Sequence, residues 1–182
     1  MSIDVLQSTN IPAGTWSIDP SHSEVGFTAR HLMTKVRGLF EKFEGTIVTG
    51  DAPTATATID LNSINTRDEN RDAHLRSGDF FEVDTYPSMT FKSTGIKQES
   101  DDEFVLSGDL TIKGVTKPVT FDLEFTGLAT DPWGNEKAGF EATADINRKD
   151  WDLSWNVPLE GGGVLVSEKV KLNLDIQLTK AA

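Results

Sequence analysis

The chain has no cysteine. That absence excludes disulfides, thiolate nucleophiles, cysteine-ligated zinc and iron–sulfur clusters together. Histidine is scarce, with three in all: His22, His31 and His74. No two share the helical or close strand spacing that a metal site needs, so none is expected to ligate a metal. No run approaches the roughly 18 apolar residues of a spanning helix, so the chain is not expected to cross a membrane on one. The stretch from Met1 to Trp16 has neither a basic start nor an apolar h-region. It does not read as a secretory signal, and a cytoplasmic location is expected.

Positive charge is also in short supply. Lysine and arginine number 17 against 29 aspartates and glutamates, a net charge of −12 over 182 residues. Such a surface repels a phosphate backbone, so no nucleic-acid partner is expected, and it disfavours a membrane rich in anionic lipid. Gly161-Gly162-Gly163 is followed by no lysine-serine or lysine-threonine pair, no GxGxxG is present, and no GxSxG elbow occurs. Phosphate-loop and nucleophile-elbow chemistry therefore have no support, and no cofactor is called for.

What is present is alternation. Val25, Phe27, Ala29 and Met33 take odd positions with His31 among them, while Glu24, Thr28 and Arg30 take even ones. Period two places the sets on opposite faces of a strand, one dry and one wet. The pattern resumes through Val36, Gly38 and Phe40 after a short break at Thr34 and Lys35. Residues 21–47 are thus expected as one long strand that curls around an interior. Further strands are expected over 15–19, 54–61, 89–95, 104–112, 119–127, 139–147 and 164–178. Their inward sets include Met89 and Phe91, then Leu110, Phe121 and Phe140, then Ala142 and Ala144.

Residues 66–77 change character. Thr66 and Glu69 match a capping box, acidic residues crowd the start, and Gly78 follows Arg76 near the end. The spacing predicts a mostly polar helix lying across an opening, with Phe80 and Phe81 buried beneath it. Arg67, Arg71 and His74 recur at helical spacing. They form either three donors for a head group at a mouth or an ordinary solvated face. Trp133, Trp151 and Trp155 flank Asn147-Arg148-Lys149-Asp150; with the net charge so negative, they read as amphipathic loop filler.

The expected architecture is all-β: an eight-stranded antiparallel barrel with one short helix, about residues 67–77, near an opening. Residues 15–180 form its single domain, and residues 1–14 a loosely held arm. Several inward positions are small, among them Ala29, Ala55, Ala57 and Gly108. They either leave a cavity beside the phenylalanines or let large neighbours interdigitate, and periodicity does not choose between the two.

Several long segments, in order, resemble the YceI-like family. They are Trp16 to Ser23, Phe27 with Arg30 to Met33, Val36 to Phe40 with Phe43-Glu44-Gly45, and Arg71 to Phe81. Tyr86-Pro87, Thr90 to Ser93, Gly108 to Thr116, Gly139-Phe140, Asn147 to Asp150 and the closing strand follow. The resemblance covers nearly everything from Thr15 to Leu178. It implies a lipocalin-like barrel with an apolar channel that binds a long-chain isoprenoid lipid, such as a polyprenyl pyrophosphate or an isoprenoid quinone, often as a homodimer. It further implies that His31-Leu32-Met33 and Asp72-Ala73-His74-Leu75 lie at the pocket, lined by Phe27, Phe40, Phe43, Phe80, Phe81 and Phe91. Several family members carry a secretion signal, and the first residues here show none. Two other functions stay open: an enzyme acting on a lipid or quinone through His31 or His74, and a packed interaction module without ligand.

Overall fold

Where the alternating segments break decides how the barrel is assembled. The computed structural model describes residues 5–182; the first four residues of the expected arm lie outside them. The strands among the described residues are β1 (Gly14–Ile18), β2 (Glu24–His31), β3 (Thr34–Phe40), β4 (Phe43–Thr49), β5 (Thr54–Asp60) and β6 (Ile64–Asn65). After the helix α1 (Glu69–Arg76) come β7 (Ser88–Gln98), β8 (Glu103–Ile112), β9 (Val115–Thr130), β10 (Glu136–Asn147) and β11 (Lys169–Lys180).

Pro20 has no N–H to offer a ladder, so the chain kinks there into a short 3-10 turn, Pro20–His22, capped by the Asp19 side chain. Strand β11 runs past the kink. It pairs with β1 through Leu178 to Lys180 and with β2 through Lys171 to Asp175. β1 and β2 are therefore two halves of one stave. Strands β3 and β4 are likewise halves of a stave broken at Glu41 and Lys42, and β5 and β6 of one broken at Leu61–Ser63. Pairing runs β1-β4-β5-β7-β8-β9-β10-β11 and returns to β1, which closes eight antiparallel staves.

One expectation is corrected here. Residues 21–47 are not one strand: β2 and β3 form a hairpin, with Val25 opposite Phe40, Phe27 opposite Gly38 and Ala29 opposite Val36. The apolar set moves from odd to even numbers across Leu32 and Met33, which is the mark of a two-residue turn. No glycine or asparagine flags that turn; Leu32 itself adopts φ +54°. The last strand likewise begins at Lys169, since Val164 and Val166 form isolated bridges to Pro158 and His31 instead.

The closure is incomplete at one end. β6 pairs only with β3, so no ladder joins it to β7. Helix α1 and the turns after it cover this gap. Arg76 donates to the carbonyls of Asn62 and Ile64, both at 3.1 Å, where strand amides would otherwise stand. The expected capping box is not formed. Asp68 is the N-cap, accepting from Arg71 N, whereas the Thr66 hydroxyl donates to the buried Asp72 carboxylate at 2.6 Å. Asp68 was the better cap because its carboxylate sits one residue before the helix.

At the opposite end, residues of the expected arm are packed. Leu6, Thr9 and Ile11 are buried, and Ile11 packs with Trp16, Ala138 and Leu178. The Trp16 indole N–H donates to Thr49 Oγ1 at 3.2 Å. Two apolar side chains in a polar segment were the legible signal for this plug. Two glycines settle part of the packing question: a Cβ on Gly38 would meet the Phe27 ring at 2.3 Å, and one on Gly108 the Phe91 ring at 2.3 Å. At Gly108, therefore, smallness makes room for a neighbour and not for a cavity.

Asp19 ties the kink to the barrel. It takes hydrogen bonds from Ser21 Oγ (2.8 Å) and Lys137 Nζ (3.1 Å) and lies 2.9 Å from His22 Nδ1. Burial works against its charged form, yet the contacts with His22, Ser21 and Lys137 outweigh that and hold the carboxyl well below the usual carboxylate range. A depressed folded value stabilises above the unfolded value of about 3.9, and the contribution is lost as pH falls from there toward the folded value. Asp19→Asn should therefore lower the melting temperature at neutral pH. The gap between variant and wild type should narrow below about pH 4. Thermal melts across an acid series measure it, and a gap that does not change with pH would contradict this account.

Candidate functional site

Among the described residues, an inner and an outer chamber open inside the barrel. The inner one, about 210 Å³, runs between the plug and the middle of the barrel. Its floor is Leu6, Ile11, Ile18 and Leu178, and its sides include Ala57, Leu106, Phe121, Leu123 and Leu174. The polar residues on its lining are Glu44, Thr49, Thr54 and Thr56, all on β4 and β5. The second chamber, about 570 Å³, lies under α1 at the end where the ladder is open. The two abut across Phe40, Met89, Ile112, Ile146 and Leu172, which line both.

Alternation explains why the inner chamber is greasy. Each stave turns its apolar set inward, and closure gathers those sets from all eight. Among the described residues no buried side-chain polar atom lacks a partner, and no cluster of three potential metal ligands occurs. The space therefore presents no unmet polar demand, and what fits it is hydrocarbon.

The outer chamber differs, because helix and loops contribute polar groups. His31 stands at the end of β2, half-buried, and its imidazole has no hydrogen-bond partner among the described residues. Arg71 reaches back to Thr66, with Nε donating to Oγ1 at 2.8 Å and Nη2 to the carbonyl oxygen at 2.7 Å. His74 Nε2 lies 2.9 Å from Asp79 Oδ2, and its ring meets Trp155 edge-on at 4.6 Å and Phe80 at 5.2 Å. Asp68, Asn70 and Arg30 complete the polar rim.

Most of the residues expected at a ligand site do face these chambers. Phe40, Phe43, Met89, Phe91, Leu110, Phe121, Phe140 and Ala142 line the inner one. Phe27, Ala29, His31, Arg71, His74, Phe80 and Phe81 line the outer, again with Phe40 and Met89. Two do not. Met33 is 92% exposed at the hairpin tip, because the turn carries it past the end of the barrel. Ala144 is buried in the core but lines neither chamber. Arg67, expected on the helix face beside Arg71 and His74, precedes α1 with φ +67° and is exposed.

Trp155 was not anticipated at the mouth, since a loop residue carries no periodicity. It belongs to the segment between β10 and β11, which is anchored by the buried Arg148. That guanidinium donates to the carbonyls of Ser167 (2.9 Å), Val166 (3.4 Å) and Leu153. Burial pushes Arg148 down from its ordinary pKa while the nearby Glu168 carboxylate raises it. Trp151, fully buried one turn away, donates its indole N–H to the Leu110 carbonyl at 2.9 Å. Filler describes Trp151 well. Trp155 instead walls the chamber.

A model of the YceI-like domain matches residues 16–178. The UPF0312 protein SA2479 of Staphylococcus aureus is 39% identical over 170 residues, covering 90% of this chain and 96% of that one. Among solved structures, the YCEI protein of Campylobacter jejuni superimposes with a TM-score of 0.72 at 28% identity, over 82% of this chain and 88% of that one. A polyisoprenoid binding domain from Saccharophagus degradans, implicated in plant cell wall breakdown, superimposes with a TM-score of 0.67 at 20% identity, over 91% and 98% of the two chains.

Proposed function

The chain belongs to the YceI-like family, and from that premise we propose that it is a non-catalytic binder that carries or sequesters a long-chain isoprenoid lipid. One observation carries this reading: an apolar chamber deep in the barrel abuts a second chamber whose polar groups all lie at the open end. A ligand matched to that gradient has a hydrocarbon tail and a small polar head. The Saccharophagus degradans domain, of the same fold and described as polyisoprenoid binding, supports the choice of tail.

Affinity then follows from burial. Each five-carbon unit contributes on the order of 3 kcal/mol before ordering costs, so tail length dominates. The outer chamber lies within the usual range of about 300–1,000 Å³ for small-molecule sites, and the inner one extends it. A tail passing from outer to inner must move Phe40 or Met89. Met89 is suited to this, as its unbranched thioether repacks readily. At the head, the free imidazole of His31 and the arginines Arg30 and Arg71 are available to a pyrophosphate, and a histidine N–H serves a quinone carbonyl equally.

Native mass spectrometry of the purified protein, followed by solvent extraction, tests the reading and identifies the cargo. A non-covalent adduct carrying a prenyl chain is expected. His31→Ala should retain the adduct while weakening it by about fivefold, the worth of one hydrogen bond. Protein that takes up no long-chain lipid, even when prenyl lipid is supplied, would refute the proposal.

A further inference from the structure

The rim of the outer chamber carries an exposed apolar edge. Leu32 and Met33 form the β2–β3 tip, 53% and 92% exposed. The segment beside them is tied to that tip: Leu32 N donates to Leu165 O at 2.9 Å and Ser167 N to Arg30 O at 2.9 Å. It folds back on itself through Leu165 N to Val157 O at 3.0 Å, and brings up Val157 and Val164, 42% and 44% exposed. His31, Leu165 and Val166, directly behind this edge, line the chamber.

Immediately behind the edge, on the outer face of the barrel, the charge is positive. Arg30 lies opposite Lys35, one register step from the tip pair His31 and Thr34, and Arg37 and Lys171 both lie opposite Thr28. These residues and Lys169 line one groove, whose acids are Glu24 and Asp145. Lys169 pairs with Asp145 at 3.5 Å. Among the described residues, Arg30, Lys35, Arg37 and Lys171 form no ion pair. Like charges directly opposite on a sheet are destabilising, so this arrangement favours an external anion. The net charge of −12 averages over the whole surface. Beyond a screening length of about 8 Å the distant acids weigh little, and the local face governs contact.

We propose that this end of the barrel docks onto a bilayer containing anionic lipid. Leu32, Met33, Val157 and Val164 enter the headgroup boundary, and the five cations behind them reach its phosphates along their long stems. Glu160, in the turn between Val157 and Val164, Asp68 on the chamber rim and Glu24 in the groove are acids that oppose docking. The orientation sets the open chamber against the membrane, where a lipid passes between bilayer and barrel without crossing water. The proposal extends the reading of the interior as a lipid site and rests on it for its purpose. The docking itself is measured separately.

The test is flotation of the full chain with phosphatidylcholine vesicles, with and without phosphatidylglycerol. Binding is expected only with phosphatidylglycerol, and it should weaken as salt rises. Each cation near an anionic surface is worth about fivefold, so Lys35→Glu/Arg37→Glu should lose at least about 25-fold. Leu32→Asp/Met33→Asp should also release the protein, with its melting temperature unchanged because the tip is exposed. Both variants should still take up a fluorescent prenyl probe in vesicle-free buffer. The proposal is overturned if the folded wild type ignores phosphatidylglycerol, if both variants bind undiminished, or if the tip variants instead dissolve a homodimer that never binds vesicles. Loss of probe uptake with docking intact would count against the lipid site and leave the docking surface standing.

Discussion

Ala142→Phe should fold and should fail to bind a long-tailed ligand. Ala142 lies on β10 between Leu123 of β9 and Leu174 of β11, buried, with its side chain lining the inner chamber. The chamber measures about 210 Å³. An apolar void of about 150 Å³ suffices to hold benzene, so a phenyl ring can enter this one without forcing the staves apart. It then occupies space the tail needs. Exclusion of even one prenyl unit removes on the order of 3 kcal/mol, about a hundredfold in affinity. Titration with prenyl probes of increasing length measures the effect: the longer the tail, the larger the loss should be. Ala144→Phe makes the contrast. Ala144 is buried but faces no chamber, so the added ring overpacks the core and costs about 1–3 kcal/mol of stability. A folded Ala142→Phe protein with undiminished affinity for the longest probe would end the account of the inner chamber as the tail site.

Arg148→Leu should produce the largest loss of stability and dismantle the mouth. The guanidinium serves the carbonyls of Leu153, Val166 and Ser167, all on the segment that carries Trp155 and the bridge to His31. Leucine fills part of the volume but leaves the Leu153 and Ser167 carbonyls without this donor, while the Val166 carbonyl keeps Asn156 Nδ2 at 2.7 Å. Stranding a buried network of this kind costs about 3–5 kcal/mol. For a chain of this length the melting temperature should fall on the order of 10 °C. Amides of residues 153–167 should exchange faster, whereas those of β4 and β5, which make no hydrogen bond to that segment, should not. Arg148→Lys should recover only part of the loss, because an ammonium cannot reproduce the planar fork. A fall of less than about 4 °C would show that the Leu153 and Ser167 carbonyls find water instead.

Much of this was legible from residue order. Alternation in 54–61, 104–112, 119–127 and 139–147 places the same inward sets that line or pack the interior, because a strand's two faces follow from its period alone. The helix near the opening was legible for a similar reason: a polar, charge-graded segment with few apolar side chains has no place inside a core. The β2–β3 turn was written as a change of parity from Phe27 and Ala29 to Val36 and Gly38, but the residues at the turn are not turn formers, so the two strands read as one. Met33, placed at the pocket by the family resemblance as well as by that alternation, is carried out of it by the turn. The plug left only a faint mark, Leu6 and Ile11 in a polar segment, and the anchor at Arg148 left none, since a lone apolar residue or a lone arginine has no period.

Two questions lay beyond any local pattern. Whether small inward residues leave a hollow depends on which side chains face them across the barrel, and the answer differs by position: Gly108 is filled by Phe91, while Ala57 and Ala142 border free space. Which cations share a face depends on register, and only the pairing of β2 with β3 and β11 collects Arg30, Lys35, Arg37 and Lys171 into one. Composition and period are properties of short range along the chain, and they determined an apolar-lined barrel with a polar helix. Void and surface charge arise between residues far apart in sequence, so closure of the staves alone could decide them.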